Sequence, residues 1–528
     1  MPEERRYDII GYGDEVPGVL ATVAAAREFR RQTGRYPSVL LMAKGDAISG
    51  LGGHLVRGRL AYLDRSQIAP AVRSRLGLPT FGDPPALYTE FLRAAGVDTI
   101  ALDPARAHTA LQELRKRAGV DLLTGVNIAS VRMHGPALEA ITLRRGETYS
   151  GRQFIDATVN AELARAAGAD WRPGFSSVGL PESELSVTLV FETRGLSPAR
   201  LARIEAAYLG RFTDPADSEA RGWLLVAAGG DESLAARLRA DMLEPSGQPR
   251  RLYEGGDYID VRSPALSVAY HAFRGRPFSL ERAGSLLDQA NIAKLPGDRL
   301  LWNALLFDVD AAEADALASA TSRPSAEMLE EMNFVREWFL SLGSTEVLAA
   351  PELYIRHAGN VSRTVAPLSG TRMLEGGTAA ADGLASFGYH FDIRGGIRGL
   401  GQRAESLGFP DLRFARPLFN VGIEHALLTD VPNLAVVSPA SGFVGFAASA
   451  GRIVEHNVGV GVGVGIAAIL ALQSGRQLAE VSSAEVRAVL DRTGTRPRIY
   501  GSSDPVEVAR LASFETALVG SDDGIRIA

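Results

Sequence analysis

The sequence predicts an α/β protein: a parallel sheet, a small antiparallel meander attached to it, and a second, mixed α/β domain inserted in the chain. Three observations predict it. The opening segment 7-YDIIGYGDEVPGVLATVAAAREF-29 runs from an apolar strand through a glycine-bearing turn into an alanine-rich stretch with apolar residues on a helical period. The apolar run 38-SVLLMA-43 follows after the polar connection 32-QTGRYP-37, so strand, turn, helix and strand open a parallel βαβ unit. Next, 121-DLLTGVNIASVRMHG-135, 137-ALEAITLRRG-146 and 147-ETYSGRQFIDAT-158 alternate in short runs broken by glycine, the pattern of a meander that feeds back into a main sheet. After about residue 171 the pattern changes, with a strand-like 184-ELSVTLVFET-193, a helical 198-PARLARIEAAYLGRF-212 and a polar, glycine-dotted region to about 310.

These shifts divide the chain into residues 1–170, an inserted domain over 171–345, a return over 346–475, and a tail over 476–528. The helix 325-SAEMLEEMNFVREWFLSLG-343 leads back to the first domain, where 432-PNLAVVSP-439 reads as another buried strand. The tail carries two short helical patterns, 482-SSAEVRAVLDRTG-494 and 504-DPVEVARLASFETAL-518, expected to pack on the surface.

Composition narrows the function. With 46% hydrophobic and 22% charged residues the chain suits a globular protein with a sizeable core. Its 56 basic and 62 acidic residues give a net charge of −6 with both signs interspersed, which argues against nucleic acid as a partner. The absence of cysteine excludes disulfides, thiol redox pairs and a cysteinyl cofactor linkage, so any redox chemistry needs a borrowed cofactor. MPEERRYDII lacks the apolar core of a signal peptide, so the expected location is cytoplasmic. The uncharged run 456-HNVGVGVGVGIAAILALQSG-475 approaches bilayer-spanning length, but its alternating glycines favour a buried glycine-rich turn leading into a helix over a membrane span.

Four segments in this order resemble the FAD-dependent oxidoreductases of the glutathione-reductase-like superfamily. In the βαβ opening, Gly13 stands at the first glycine position of the dinucleotide loop and Gly18 at the third, where a missing side chain lets helix close on strand. Asp14 and Glu15 stand where the resemblance places a pyrophosphate, and Glu15 replaces the second glycine. The acidic ribose-binding residue at the end of the second strand is replaced by Ala43 and Lys44, with Asp46 beyond. Lys44 is therefore expected to neutralise Glu15 or to reach a phosphate, with Asp46 on the ribose. In 49-SGLGGHLVRGRLAYLD-64 the resemblance implies that Gly52, Gly53 and His54 run beside the pyrophosphate and flavin, with Arg57 or Arg59 supplying positive charge. In 154-FIDATVNAELARAAG-168 it implies a cofactor turn at Asp156 and Ala157, with Ala161 and Glu162 in place of a glycine and an acidic residue. In 432-PNLAVVSPASGFVGFAASAGRIVEHNVGVGVGVGIAAILAL-472 it implies a helix N-terminus directed at the flavin pyrimidine, with Ser438, Gly442, Gly459 and Gly461 on the cofactor side.

The resemblance implies a three-layer Rossmann-like FAD/NAD(P)-binding domain, a substrate or cap domain, and bound FAD. Such an enzyme passes a hydride between a small organic substrate and flavin N5, and the electron acceptor is unknown. Catalytic candidates lie in the C-terminal half. In 353-LYIRHAGNVSR-363, Arg356 suits an anionic substrate group and His357 a base, while an interdomain ion pair explains Arg356 as well. In 387-FGYHFDIRGG-396, alternation puts His390 and Asp392 on one face next to Tyr389, the arrangement of a carboxylate-oriented histidine or of a structural pair. His271, Trp302 and Asn303 are candidates for the substrate side. No HExxH, GxSxG or P-loop occurs, so no catalytic metal, serine nucleophile or triphosphatase is expected. Two other readings stay open: a nucleotide-binding protein of degenerate Rossmann type without turnover, and a nicotinamide dinucleotide enzyme in which Lys44 reads a 2′-phosphate.

Overall fold

A computed structural model describes residues 4–45 and 50–519, arranged around two sheets. The first begins with β1 (Arg5–Tyr12), whose last four residues are buried, and α1 (Val16–Thr33) returns the chain to β2 (Val39–Ala43), buried throughout. β2 lies parallel to β1, and β3 (Asp121–Thr124) lies parallel to β2. β4 (Ile128–His134), β5 (Ala137–Leu143) and β6 (Thr148–Asp156) form the meander, and β6 runs parallel to β1. The run 121–135 is thus split between two parts of the sheet. Gly125, at φ 63°, breaks it, because a left-handed residue ends one strand and re-aims the next.

Besides β1, β6 serves two further neighbours. Its first three residues pair with β5, whereas Phe154–Asp156 pair in parallel with the strand Leu434–Val436. Asn433 holds the fork, its Oδ1 accepting from Leu138 N at 2.9 Å and its Nδ2 donating to Leu138 O at 2.8 Å. Residues from the far end of the chain thereby complete the sheet begun at its start.

The inserted domain follows β7 (Trp171–Arg172), a short strand paired with Asn360–Val361. Its antiparallel sheet runs β13-β8-β12-β11-β10-β9, from β8 (Val187–Arg194), β9 (Tyr253–Glu254), β10 (Tyr258–Asp260), β11 (Ser285–Leu295), β12 (Arg299–Phe307) and β13 (Glu346–Ala349). Long paired strands thus occupy 285–307, where the sequence suggested only a polar, glycine-dotted region. Trp302 belongs to the core of this sheet rather than to a substrate wall: it stacks on Phe191 and its Nε1 donates to Thr193 Oγ1 at 2.9 Å.

Two expectations need correcting. The alternating glycines form no turn: they lie inside a continuous helix, Val454–Ser474, packed against α1. A Cβ at Gly465 would come within 2.2 Å of the Ala21 carbonyl oxygen, and one at Gly461 within 2.7 Å of that of Pro17. Glycine removes the side chains that would hold the two backbones apart. The helix is long and apolar enough to span a bilayer, but 83% of its most apolar stretch is buried within the protein.

The tail is also no surface appendage. In the helix Pro505–Val519, Leu511 and Phe514 are fully buried, and the buried Glu515 carboxylate accepts from the backbone N–H of Gly370, Thr371 and Phe446. Those amides would otherwise be unsatisfied at the starts of two helices, Gly370–Leu374 and Ala447–Gly451, and Glu515 stitches the tail to both.

Candidate functional site

The sequence-predicted residues fall into two places. The first is the β1–α1 turn. Gly13 has φ 96° and a Cβ there would meet the Ala157 carbonyl carbon at 2.6 Å, while one at Gly18 would meet the Ala157 Cβ at 2.2 Å. Both glycines let α1 close on the turn after β6. That turn is held by Asp156, fully buried, whose carboxylate accepts from Thr158 N at 2.8 Å and Ala164 N at 3.0 Å. Burial pushes the Asp156 carboxyl up to about 6.

Asp14 and Glu15 point across to the loop that follows β2. The Asp14 carboxylate receives both terminal nitrogens of Arg57 and the amide of Gly52, which donates at 3.1 Å. Burial alone would raise the Asp14 carboxyl, but the Arg57 guanidinium outweighs it and holds the carboxyl below the usual range. Arg57 Nε also donates to Glu352 at 2.7 Å. With Asp14 and Glu15 nearby, the largely desolvated Glu352 carboxyl is pushed up to about 6 despite that bond. Glu15 is the N-cap residue of α1 but makes no side-chain bond to its own helix. Its Oε1 accepts from His54 N at 3.1 Å, and its Oε2 lies against His54 Nδ1.

Lys44 does not neutralise Glu15. Its ammonium pairs with Glu162 at 2.5 Å and donates to Ser319 O at 2.7 Å, closing the C-terminal end of the helix Ala311–Ser319. The Glu162 carboxylate and an exposed helix end together draw the Lys44 ammonium away from Glu15. Asp46, the expected ribose partner, lies outside the described residues. A cavity of about 60 Å³ remains between Gly13, Lys44, Arg57, Thr158, Thr321 and Glu352. Next to it, walled by Asn127, Arg144, Asn160, Arg165 and Thr321, opens a groove of about 710 Å³.

The second place is the junction between the two sheets. Arg356 is 1% exposed, and its hydrogen bonds go to Ser186 O at 2.7 Å and Asn303 Oδ1 at 3.4 Å, with the Tyr354 ring 4.7 Å from the guanidinium carbon. Among the described residues no carboxylate reaches it. Desolvation accordingly lowers its pKa to about 10. Arg452 is as deeply buried but paired, donating to Asp392 Oδ2 and Tyr354 Oη at 2.6 Å each. Asp392 therefore serves Arg452 and does not orient His390. A buried guanidinium needs its counter-ion more than an exposed imidazole does, and His390 stands exposed at the rim with only a 3.4 Å contact from Nδ1 to Gln67 Oε1. Tyr389 is buried between Phe387 and His390.

His357 is not free to act as a base. Its Nδ1 lies 2.9 Å from Glu184 Oε1 and its Nε2 2.9 Å from Asn360 Oδ1, while Asn360 Nδ2 donates to Pro439 O and Ser441 O. Burial pushes this imidazole down, yet Glu184 and Asn360 outweigh it and raise it above its ordinary value. Ser438 lies buried in the same loop, its Oγ accepting from Ala440 N at 3.1 Å, and Gly442 fits against Thr364. Gly459 and Gly461 sit in the interior of the long helix, away from its N-terminus, and His271 accepts from Leu287 N at 3.2 Å within the inserted domain.

Sequence reasoning missed Asp64 and Arg452. Arg452 had a signal, as the only charged residue between Asp430 and Glu455 in a run of small and apolar neighbours. Asp64 had none; it faces Tyr389 and Arg452, and desolvation, reinforced by Asp392, holds its carboxyl above the usual range. A further cavity of about 740 Å³ lies within the inserted domain, walled by Arg274, Phe307, Leu317, Met328, Glu331 and Phe334, apart from both places.

Known proteins bear on this arrangement. No curated protein matches the chain. Among solved structures it is similar to NikD, an amino acid oxidase of nikkomycin biosynthesis, at 11% identity and a TM-score of 0.36 over 86% of this chain and 94% of that one. It is similar to L-proline dehydrogenase from P. horikoshii at 10% identity and 0.34, over 93% and 99% of the two chains. A geranylgeranyl bacteriochlorophyll reductase-like protein from Thermoplasma acidophilum matches at 10% and 0.35, over 99% and 90%. The family model described as FAD dependent oxidoreductase matches residues 8–490, so both places lie within it. The chain belongs to the FAD-dependent oxidoreductase family, whose members are oxidoreductases with FAD as cofactor.

Proposed function

We propose that the chain oxidises or reduces a small organic molecule carrying a negatively charged group, bound at the junction of the two sheets. The observation that carries this reading is Arg356, a buried cation met, among the described residues, by neutral oxygens and a tyrosine ring and by no carboxylate. An unpaired buried charge is costly, and an anionic ligand group is the partner that would complete it. Bound FAD supplies the two-electron acceptor or donor, with flavin N5 as the atom that exchanges the hydride.

The protein's own groups supply the rest. Arg356 holds and orients the substrate anion, and the Arg452–Asp392 pair fixes Tyr354 beside it. Asp64 carries the proton released on substrate oxidation, since its raised carboxyl brings it nearer to neutral pH than an ordinary aspartate. At the other end of the cofactor site the fit is conditional. The residues of the β1–α1 turn and the 52–57 loop suit a diphosphate by their amides and Arg57, but these donors already serve Asp14, Glu15 and Glu352.

The test is anaerobic mixing of FAD-reconstituted protein with small carboxylic acids, amines and alcohols, followed by the flavin absorption. Bleaching by a carboxylate-bearing compound, with KM raised at least tenfold in Arg356→Met, is the expected result. A protein that takes up no FAD sinks the enzyme reading. Equal turnover of neutral substrates by Arg356→Met sinks the anion assignment alone.

A further inference from the structure

We infer that Glu15 and His54 form a latch over the diphosphate seat, and that FAD enters the seat only when Glu15 has left it. The inference rests on the flavin reading above and concerns how the same site is controlled. The seat is built for an anion and already contains one. A Cβ at Gly53 would come within 2.0 Å of Glu15 Oε1, so the carboxylate lies directly over a backbone left bare by glycine. The amide of His54 donates to Glu15 and that of Gly52 to Asp14, so these two inward-facing donors of the loop are spent on the chain's own carboxylates.

Charge and space agree with this. The carboxylates of Asp14, Glu15, Glu162 and Glu352 face Arg57, Lys44 and His54, and both side chains of fixed positive charge are already in ion pairs. A diphosphate would add negative charge where, among the described residues, no cation is free. The remaining 60 Å³ is far below the roughly 300–1,000 Å³ of ordinary small-molecule sites. The far wall is held by Thr321 and Ser322, consecutive non-glycine residues at φ 68° and 56°, a conformation that costs energy and turns the chain into the seat. Yet the groove beyond it is open, and Asn160 and Thr321 line both spaces.

Of the closing contacts, the Glu15 one is the least satisfied. His54 is 8% exposed, and although its Nδ1 lies against Glu15 it lacks a well-directed hydrogen bond. Glu15 is anchored by the His54 amide and its contact with the His54 ring, whereas Asp14 is fixed by a two-pronged guanidinium bond. Displacing Glu15 frees the His54 amide and the bare Gly53 surface while leaving the Asp14–Arg57–Glu352 network in place.

The experiment compares full-length wild type with Glu15→Gly and Glu15→Gln, titrating ADP by calorimetry and FAD by quenching of flavin fluorescence. Glu15→Gln is nearly isosteric and keeps the comparison open if the glycine variant does not fold. Binding of ADP at least tenfold tighter to the variants than to wild type is the expected result, with FAD following. Variants that gain ADP but not FAD support the latch and sink the flavin reading. Wild type binding FAD as tightly as both variants overturns the latch and leaves the flavin reading standing. No gain of either ligand in either variant overturns the latch.

Discussion

At the start of α1 the buried Arg57 is held between two carboxylates, Asp14 and Glu352, whereas at the junction of the sheets the buried Arg356 meets only two neutral oxygens and a tyrosine ring. The carboxylates differ in the same sense. Asp14 is held below its ordinary range by Arg57, and Asp64 is held above it by desolvation. At the first place both fixed cations are already paired, and at the second Arg356 has no carboxylate among the described residues. A region whose cations are all paired resists an anionic ligand, while a buried unpaired cation invites one.

The largest expected effect breaks this comparison at its centre. Arg57→Met leaves Asp14 and Glu352 without their cation and is expected to cost about 3–5 kcal/mol of stability by urea denaturation. Arg356→Met removes an unpaired buried charge and should leave stability within about 1 kcal/mol of wild type or raise it. Equal losses in the two variants would show that Arg356 has a counter-ion after all.

Acid sharpens the contrast from another side. His425 and His456, buried and stacked at 5.6 Å, are pushed down by desolvation to about 4 and about 3. Their folded values lie below the unfolded one near 6.5, so their contribution is fully present above that pH and declines as pH falls towards 4 and 3. The pair is expected to lose about 3 kcal/mol or more between pH 6.5 and 4, and replacing His456 by Phe should flatten the denaturation profile there. An unchanged profile would place the acid sensitivity elsewhere.

The close approach of helices beside the seat gives a smaller effect. Gly465→Ala would press on the Ala21 carbonyl and is expected to cost about 1–3 kcal/mol, whereas Gly459→Ala meets only ordinary contacts, the nearest at 3.5 Å, and should be neutral or slightly stabilising. Thermal unfolding of the two variants reads the difference directly. Smallest is Asp64→Asn. A carboxyl raised on folding loses stability as pH rises from its unfolded value to its folded one, so at neutral pH the amide should be the more stable of the two. The same substitution at Asp14 should lose stability, because that carboxyl is lowered on folding.

Much of this was legible in the letters. The apolar run ending at Tyr12, the alanine-rich helix and the buried second strand announce themselves by period, and the structure places them as a parallel pair. The site was legible only as a neighbourhood. Alternation suggested that Asp392 orients His390, yet the carboxylate went to Arg452, sixty residues away in sequence. Lys44 had Glu15 as an evident partner and took Glu162 and a helix end instead. Arg356 could be named from the sequence, but that no carboxylate among the described residues pairs with it could not.

By itself the sequence determined the βαβ opening, the inserted domain, the absence of thiol chemistry and the presence of two carboxylates in the dinucleotide turn. These follow from local period, backbone preference and composition, which act over a few residues. Only the tertiary structure decided which cation each carboxylate meets, that the glycine stripe packs one helix on another, and that Arg356 is left unmatched. The physical reason is that ion pairing and close packing depend on distances across the fold, and partners 43 and 295 residues apart, as Asp14 and Glu352 are from Arg57, meet only once the core has formed.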